Sequence, residues 1–339
     1  MAGSKLRWGV LGTARIADTV VPGLQKANNS ELVAVASRDI NMAREWAQAR
    51  GLDHFFGSYE EMLASDVIDA VYIPLPNALH VEWSIRAADN GKHVLCEKPI
   101  AISADQLGGL IAAQRRNGVK IMEAFMYRFH PQTERIRQLV ASGAIGETKI
   151  VRATFDFLLS RTNDVRLSKE LGGGALLDVG CYCANVSSLV VGSPPRAVTA
   201  SAVWGETGID LSLVGTLDFP NAVLGVIDCS FQVGTSMQQR LVISGTGGLI
   251  SVTQPFRMDD EDTTIIVDRA DKDNTVEQVR VPGGNEYRLM VEHFADAVLN
   301  DTRLSYTLED SLANMRVLDA LKEAAQTGRR VEVATGSVA

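Results

Sequence analysis

The stretch LRWGVLGTARIA, residues 6–17, decides the fold of the first part of the chain. Residues 6–12 form a short apolar run typical of a buried strand, and a helix is predicted to follow. The spacing of Gly12, Ala14 and Ala17 is that of a dinucleotide-binding turn with alanine at the second and third glycine positions. Such a turn presents the N–H groups of a helix N-terminus to a pyrophosphate. The residues predicted to form this phosphate turn are Gly12, Thr13, Ala14, Arg15 and Ile16.

Strands and helices are predicted to alternate as far as residue 125. Apolar runs are separated by helical patterns, and strands joined in this way make a doubly wound parallel sheet. The sequence therefore predicts an α/β fold with an N-terminal Rossmann domain at residues 1–125. The further strands are predicted at residues 31–36, 53–56, 69–73, 92–96 and 120–124.

Residues 126–339 follow a different pattern and are predicted to form a C-terminal α+β domain. Segments that alternate apolar and polar residues dominate from residue 148 onward, which indicates a sheet with one covered face. The other face is predicted to mediate assembly into a homo-oligomer, a dimer or a tetramer. This domain is therefore assigned to substrate binding and oligomerisation.

Composition limits the partners of the chain. Its 339 residues carry a formal net charge of −8 and no basic block, so neither nucleic acid nor a membrane is an expected partner. No apolar run is long enough to span a bilayer, and no signal peptide precedes the first strand. The spacing of the four cysteines fits neither a zinc site nor a redox pair, which favours buried thiols in the cytoplasm.

The end of the second strand predicts the choice of cofactor. An acidic residue there would bond the ribose 2′-hydroxyl of NAD, but this strand ends in Ser37 and Arg38. A hydroxyl and a guanidinium suit the 2′-phosphate of NADP, because arginine binds phosphate through two parallel hydrogen bonds. NADP is therefore the predicted cofactor, while the neighbouring Asp39 leaves NAD possible.

The tripeptide Glu97-Lys98-Pro99 ends the apolar run at residues 92–96. Ligands of open parallel sheets bind outside the carboxyl ends of the strands. A lysine at such a strand end can move a proton or shift the pKa of a neighbour. A solvated Glu–Lys pair in a loop is the alternative for this tripeptide taken by itself.

A second group of polar residues follows the glycines at 172–174. Asp178, Tyr182 and Asn185 recur at i, i+4 and i+7, so they would share one face of a helix. Tyrosine donates a proton to a carbonyl oxygen when a cation lowers its pKa from about 10, and Lys98 is the available cation. We predict Lys98, Tyr182 and Asp178 as catalytic groups that contact substrate together with Asn185. A core tyrosine on a capped helix is the alternative.

Five motifs together resemble the Gfo/Idh/MocA oxidoreductases. They are GVLGTARIA at 9–17, DAVYIPLPNALH at 69–80, GKHVLCEKP at 91–99, EAFMYRFHP at 123–131 and GGGALLDVGCY at 172–182. The resemblance implies a Rossmann domain, a C-terminal domain with a large open, mostly antiparallel sheet, and a cis Lys98–Pro99 bond. Tyr182 stands where many members have histidine. This is typical of the branch of dihydrodiol dehydrogenases, NADP-dependent D-xylose dehydrogenases and deoxysugar ketoreductases.

Further ligand contacts are predicted from the loops after the strands. Pro74 and Leu75 lie in a rigid loop after the fourth strand and are predicted to contact the cofactor. Others are implied by the resemblance alone. The residues that match cofactor and substrate contacts of the family by position are Asn77, His80, Glu97, Lys98, Arg166 and Tyr287.

These observations predict reversible hydride transfer between NADP(H) and a carbinol or carbonyl carbon of a cyclic sugar or polyol. The substrate would be an aldose such as xylose, or a trans-diol. Tyr182 would move the proton and Lys98 would stabilise the charged tyrosine, so no metal is expected. One alternative is a ketoreductase of a nucleotide-linked deoxysugar, and another is a non-catalytic NADP-binding sensor.

Overall fold

The structure, a computed structural model, describes residues 5–234, 237–258, 260–270 and 273–336. The chain divides into two compact units. The first comprises Met1–Met126 and Asn285–Ser311, and the second comprises Tyr127–Gly284 and Leu312–Ala339.

Strands of the described residues are, in chain order, Leu6–Leu11 (β1), Ser30–Ala36 (β2), His54–Phe56 (β3), Ala70–Ile73 (β4), His93–Cys96 (β5), Ile121–Glu123 (β6), Thr148–Asp156 (β7), Ala197–Trp204 (β8), Asp210–Asp218 (β9), Leu224–Ser230 (β10), Gln238–Gly245 (β11), Gly248–Val252 (β12), Thr263–Arg269 (β13), Val276–Val281 (β14) and Val331–Glu332 (β15). The α-helices are Ala17–Lys26 (α1), Ile40–Gln48 (α2), Tyr59–Leu63 (α3), His80–Asp89 (α4), Leu107–Asn117 (α5), Pro131–Ala141 (α6), Cys181–Val191 (α7), Glu286–Leu299 (α8) and Leu308–Thr327 (α9).

The first unit is built on a six-stranded parallel sheet in the order β3-β2-β1-β4-β5-β6. Its central strands are almost wholly buried, as expected for a parallel sheet with helices on both faces. The prediction of a Rossmann fold is confirmed. The order places the ends of β1, β2 and β4 at one edge of the sheet, and ligands bind at this edge.

Residues 285–311 belong to the first unit, which differs from the predicted division into 1–125 and 126–339. Helix α8 packs against α1, and the rings of Trp8 and Phe294 lie 5.3 Å apart. Gly23 allows this close approach, because a Cβ there would lie 2.8 Å from the backbone nitrogen of Arg288. The unit that α8 covers is decided by these contacts between distant parts of the chain, which the sequence pattern does not reveal.

The second unit contains a nine-stranded sheet in the order β14-β13-β12-β11-β7-β10-β9-β8-β15. Strands β7 and β10 are parallel and the other neighbours are antiparallel, so the prediction of a mostly antiparallel sheet is confirmed. Helix α7 covers one face, where the ring of Phe155 lies against that of Tyr182. On the opposite face Val203, Val214 and Leu224 remain 55%, 55% and 52% exposed. We call this second surface the open face.

Candidate active site

A cavity of about 560 Å³ lies in the first unit, at the edge of the sheet where β1, β2 and β4 end. Seven of the predicted cofactor residues line it together. Its lining consists of Gly12, Thr13, Ala14, Ser37, Arg38, Asp39, Met42, Tyr59, Pro74, Leu75 and Pro76. Arg15 and Ile16 complete the turn between this lining and α1, whose first residue is Ala17.

Gly12 shapes the floor of this cavity. Its φ of +99° is a conformation that residues with a side chain rarely adopt. A Cβ at this position would stand 3.1 Å from Leu75 and 3.4 Å from the hydroxyl of Tyr59. The backbone can therefore approach a ligand closely here, as a pyrophosphate requires.

The tip of β2 carries the charge of the cavity. Arg38 is exposed and lines the cavity together with Tyr59. Within the described residues it makes no ion pair with a carboxylate. The carboxylate of Asp39 accepts from the backbone N–H of Asn41 at 2.9 Å and caps α2. Asp39, the residue that left NAD possible, therefore has a structural role as a helix cap. The positive charge of Arg38 is not compensated by an ion pair with any described carboxylate.

His80 lies behind the cavity and is completely buried. Its Nδ1 lies 2.7 Å from the carbonyl oxygen of Pro99, and its Nε2 lies 2.7 Å from that of Leu75. Two carbonyl acceptors favour the imidazolium, but burial outweighs them and lowers the pKa of His80 to about 4. Both ring nitrogens contact backbone carbonyl oxygens. His80 can therefore affect a ligand only by fixing the positions of the segments that contain Leu75 and Pro99. Asn77, another predicted contact, begins the short helix Asn77–Leu79 in front of it.

Glu97 and Lys98 follow β5, as predicted, and the Lys98–Pro99 peptide bond is cis. Glu97 is buried and accepts a 2.6 Å hydrogen bond from the hydroxyl of Tyr72. Burial and the charge of Glu97 raise the pKa of Tyr72 well above its usual value, so this donor keeps its proton. Tyr287 lies in α8, is buried and also contributes to the electrostatics of Tyr72. This predicted contact therefore lies in the same unit as Lys98.

Tyr182 lies in the first turn of α7 in the second unit and is 5% exposed. Three aromatic rings surround it, with centroid distances of 6.0 Å to Tyr127, 5.5 Å to Phe155 and 5.4 Å to Phe256. Such contacts fix the direction of the ring. The hydroxyl is therefore carried by a rigid support, as a proton-transferring group requires.

Asp178 and Arg166 form a short ion pair in the same unit, with 2.6 Å between Oδ2 and Nε. The guanidinium also lies 3.2 Å from Asp164. Arg166, whose contact with the cofactor stays a prediction, forms ion pairs with both carboxylates, and the charge of Asp178 is the main cause of its raised pKa. The direct effect of Arg166 is therefore to orient Asp178.

The helix around Asp178 is not a regular α-helix, because residues Leu176–Gly180 form a π-helical turn before α7 begins. Tyr182 and Asn185 both lie in α7, and the shared face of the three residues stays a prediction. Asn185 is buried, and its Oδ1 accepts hydrogen bonds from the hydroxyl of Tyr127 at 2.5 Å and from Arg128 at 2.9 Å. Because these hydrogen bonds satisfy the amide oxygen of Asn185, no ligand pocket is needed to explain why this polar side chain is buried. Its predicted substrate contact remains a proposal.

Two residues that the sequence did not point to become visible in the structure. Tyr59 lines the cavity beside Arg38, and Asp210 anchors the π-helical turn by accepting a 2.6 Å hydrogen bond from the N–H of Leu176. The four cysteines are buried thiols that form no disulfide, as predicted. Among the described residues, no helix is long and apolar enough to cross a membrane, and no three His, Cys, Asp or Glu side chains group around a metal position.

Comparison with known proteins places the whole chain among oxidoreductases. Residues 6–125 match the model of an oxidoreductase family with an NAD-binding Rossmann fold. Residues 133–251 match the C-terminal domain of the same Gfo/Idh/MocA group. The two matches together cover most of both units.

Individual relatives cover nearly the full length. A D-xylose 1-dehydrogenase (NADP⁺) of Haloferax volcanii is 38% identical over 330 residues, which is 97% of this chain and 100% of that protein. A trans-1,2-dihydrobenzene-1,2-diol dehydrogenase of Xenopus laevis is 34% identical over 94% of this chain and 97% of its own. A 3-ketoreductase of Actinomadura kijaniata, solved with NADP and TDP-benzene, is 29% identical with a TM-score of 0.87 and covers 95% of this chain and 98% of its own.

Proposed function

The chain belongs to the Gfo/Idh/MocA oxidoreductase family, and from that premise we propose that it transfers hydride between NADP(H) and a carbinol or carbonyl carbon of a cyclic sugar or polyol. The names of the similar xylose and diol dehydrogenases support this class of substrate. The observation that carries the proposal is the cavity of the first unit, where Arg38 faces the ligand space without a carboxylate partner among the described residues.

The residues of this cavity fit NADP. The positive φ of Gly12 leaves room for a pyrophosphate, and Ser37 with Arg38 offers a hydroxyl and a fork of N–H donors to a 2′-phosphate. NADP, when bound, supplies or accepts the hydride. The alternative cofactor, NAD, would place a neutral ribose hydroxyl beside Arg38 and would use neither the charge nor the fork.

Three side chains are assigned to the chemistry. In oxidation Tyr182 takes the proton of the reacting hydroxyl, and in reduction it returns that proton to the developing alkoxide. Lys98 lends positive charge that favours the deprotonated tyrosine. Asp178, oriented by Arg166 at 2.6 Å, accepts a hydrogen bond from a substrate hydroxyl. This assignment requires Lys98 and Tyr182 to act on the same reacting carbon.

A ketoreductase of a nucleotide-linked deoxysugar is the second candidate. The similarity to the 3-ketoreductase of Actinomadura kijaniata favours it. It uses the same three side chains and differs only in the substrate, a ketosugar that keeps its nucleotide diphosphate throughout the reaction.

A substrate panel tests the proposal directly. The purified protein would be incubated with NADP⁺ or NAD⁺ and aldoses or trans-diols, and with NADPH and a TDP-linked ketosugar, while reduced-nicotinamide absorbance is followed. We expect NADP⁺ to be reduced faster than NAD⁺ with at least one aldose or diol. Turnover of the ketosugar alone would select the second candidate, and binding of NADP without any turnover would point to a sensor.

We also propose that the protein is a cytoplasmic homodimer that covers the open face of its nine-stranded sheet. Exposed Val203, Val214 and Leu224 on that face support an isologous contact. The buried cysteine thiols, none of which is in a disulfide, support a reducing compartment. Light scattering at micromolar concentration should give twice the monomer mass. Replacing Val214 by Lys should give monomers if the contact is the one proposed.

A further inference from the structure

We propose that Glu123 is a positioning residue for Lys98, because its carboxylate holds the peptide group that follows Pro99. This inference rests on the proposed function, in which Lys98 lends positive charge to the proton transfer. It concerns a residue that acts through the backbone and does not itself need to touch cofactor or substrate.

Lys98 lies where the chain leaves the parallel sheet. Strand β5 ends at Cys96, and the N–H of Glu97 still bonds to the carbonyl oxygen of Ile73 in β4 at 3.0 Å. Residues 94–101 are buried apart from Lys98, which is partly exposed. Past the end of the strand, the buried backbone groups need other hydrogen-bond partners.

Two side chains supply such partners for the peptide group between Pro99 and Ile100. Nδ1 of His80 lies 2.7 Å from the carbonyl oxygen of Pro99. A carboxylate oxygen of Glu123 accepts a 3.0 Å hydrogen bond from the N–H of Ile100. The oxygen and the nitrogen of one peptide group are therefore both held, the first from α4 and the second from β6.

The sheet places Glu123 for this contact. Glu123 is the last residue of β6, is 1% exposed and lies opposite Cys96 in the register of β5 and β6. The N–H of the next residue, Ala124, bonds to the carbonyl oxygen of Cys96 at 2.8 Å. The side chain therefore begins on a fixed backbone and ends on the N–H of Ile100, a residue with no exposed surface.

The hydrogen bond, rather than the charge of Glu123, carries the inference. Glutamine would accept the same hydrogen bond through its amide oxygen and would cost less free energy to bury. A carboxylate, when ionised, makes a shorter hydrogen bond of about twice the strength. Glutamate therefore gives a stiffer turn than glutamine, and both give a stiffer turn than an apolar side chain.

The stiffness of this turn matters for Lys98 because few rotatable bonds separate the lysine from the held groups. On one side Glu97 is bonded to β4, and on the other side the ring of Pro99 fixes φ. Displacing a catalytic group by about 1 Å can lower the rate about 10²-fold. Glu123 is not among the residues that line the cofactor cavity, so its loss should appear in kcat and not in cofactor binding.

The test compares substitutions of Glu123 in the full-length protein, with NADP⁺ and D-xylose or the fastest aldose or diol. Glu123→Met keeps the length of the side chain and removes the acceptor. We expect kcat to fall about 10- to 100-fold and the Kd of NADP⁺ to change less than twofold. Glu123→Gln keeps an acceptor and should lose only two- to threefold. Glu123→Asp keeps the charge but is one methylene too short, so it should resemble Glu123→Met and replaces it if that variant does not fold.

Two further measurements separate positioning from a structural role. Tyr182 is the proposed base in oxidation, and the positive charge of Lys98 favours its deprotonated form. In Glu123→Met the rise of kcat/KM with pH should therefore move by about half a unit or more toward the ordinary tyrosine pKa of about 10. The Glu123→Met/Lys98→Met double variant should be no slower than Lys98→Met, since residues that act as a unit are not additive.

Asp69→Leu is the matched control for loss of a carboxylate that accepts a backbone N–H. Asp69 precedes β4 at the opposite end of the same sheet and accepts from the N–H of Arg7 at 3.0 Å. It also forms an ion pair with Arg7 at 2.6 Å. The substitution should lower the unfolding temperature and leave kcat within twofold of wild type, which shows what destabilising this sheet does by itself.

Three results would overturn the inference. Near-normal kcat in Glu123→Met with a lowered unfolding temperature would make Glu123 a packing residue. Equal losses in Glu123→Gln and Glu123→Met would show that the charge matters and not the bond to Ile100. A double variant much slower than Lys98→Met would show that Glu123 acts independently of Lys98. A wild type without turnover would instead refute the proposed function, and that result comes from the wild type alone.

Discussion

The two faces of the nine-stranded sheet hold buried charge in opposite ways. On the face covered by α7, the carboxylate of Asp178 is paired with the guanidinium of Arg166 at 2.6 Å. On the open face, Asp156 is 6% exposed and lies beside Asp228, whose carboxylate accepts a 2.8 Å hydrogen bond from Thr154. Within the described residues neither Asp156 nor Asp228 forms an ion pair.

A single step along β7 separates these two environments. Phe155 packs against the ring of Tyr182, and Asp156 points to the other side because side chains alternate along a strand. Burial and the neighbouring carboxylate of Asp228 raise the pKa of Asp156 to about 7. The covered face therefore carries a fixed charge, whereas the charge of the open face depends on pH.

We assign the chemistry to the face covered by α7. Replacing Tyr182 by Phe should therefore produce the largest effect on kcat. The change removes only a hydroxyl, and kcat should fall about 10²- to 10⁴-fold, as for loss of a general acid or base. Affinity for NADP⁺ should stay within twofold of wild type. Lys98→Met should cause similar damage, and the double variant should be little worse than either, since residues that act as a unit are not additive.

Phe155→Leu is the control for that experiment, because it loosens the packing around Tyr182 and keeps the hydroxyl. It should lower the unfolding temperature with at most a few-fold loss of kcat. Near-normal kcat in Tyr182→Phe would mean that the acid and base lie elsewhere, and a loss of cofactor binding would make Tyr182 a structural residue.

A smaller effect is expected for Asp178→Asn on the same face. The amide cannot match the charge-assisted bond to Arg166, and a substrate hydroxyl loses an ionised acceptor. We expect kcat/KM to fall about 10- to 100-fold, corresponding to roughly 1.5–3 kcal/mol. Asp164→Asn removes the other partner of Arg166 and should cost less than threefold. Equal losses in both variants would reduce Asp178 to a counter-ion of the arginine.

The smallest effect is expected on the open face, where Asp156→Asn should alter stability and leave kcat unchanged. The pKa of about 7 in the folded protein exceeds the ordinary value of 3.8. Between about pH 4 and 7 the folded state therefore keeps a proton that the unfolded state releases, so the free energy of unfolding falls as pH rises through this window. The asparagine variant cannot release that proton, and it should be more stable than wild type at pH 8 by roughly 1–3 kcal/mol.

Urea unfolding from pH 4 to 8 measures this difference, with light scattering to check that assembly is constant. Asp218→Asn is the control, since Asp218 is a surface carboxylate of the same sheet paired with Arg330 at 2.7 Å. It should leave the pH slope of wild type intact. A slope that persists in Asp156→Asn would show that the carboxyl pair is not its source, and the contrast between the two faces would fail.

The fold of the first unit could be predicted from the sequence because it is built from local patterns that repeat. The turn at Gly12 and the alternation of strands and helices predicted the six-stranded sheet, because each strand-to-helix step constrains the next. The strand end at Glu97 and Lys98 could be located for the same reason. Ser37 and Arg38 could be assigned to the cavity, because the order of the sheet brings the tip of β2 beside that of β1.

The remaining features depend on contacts between residues that follow no regular spacing in the sequence. Arg166 reaches Asp178 from the short 3₁₀ helix Val165–Leu167, and no spacing rule covers such a contact. The π-helical turn at Leu176–Gly180 changed the spacing that the prediction took as 3.6 residues per turn. Tyr59 opens a short helix like many core tyrosines, and only the structure shows that it lines the same cavity as Arg38.

The first unit includes residues 285–311 as well as the N-terminal part of the chain. This composition affects the order in which the two units can be completed during synthesis. Trp8, which has no exposed surface, packs on Phe294, and α1 packs on α8. On the ribosome the apolar surface around Trp8 cannot pack on α8 until almost the whole chain has been translated. The unit that is started first is therefore completed after residues 127–284 have emerged, in contrast to the usual order in which N-terminal domains finish first. Until α8 has been synthesised, the side chains that it covers in the folded protein, Trp8 among them, lack this part of their packing.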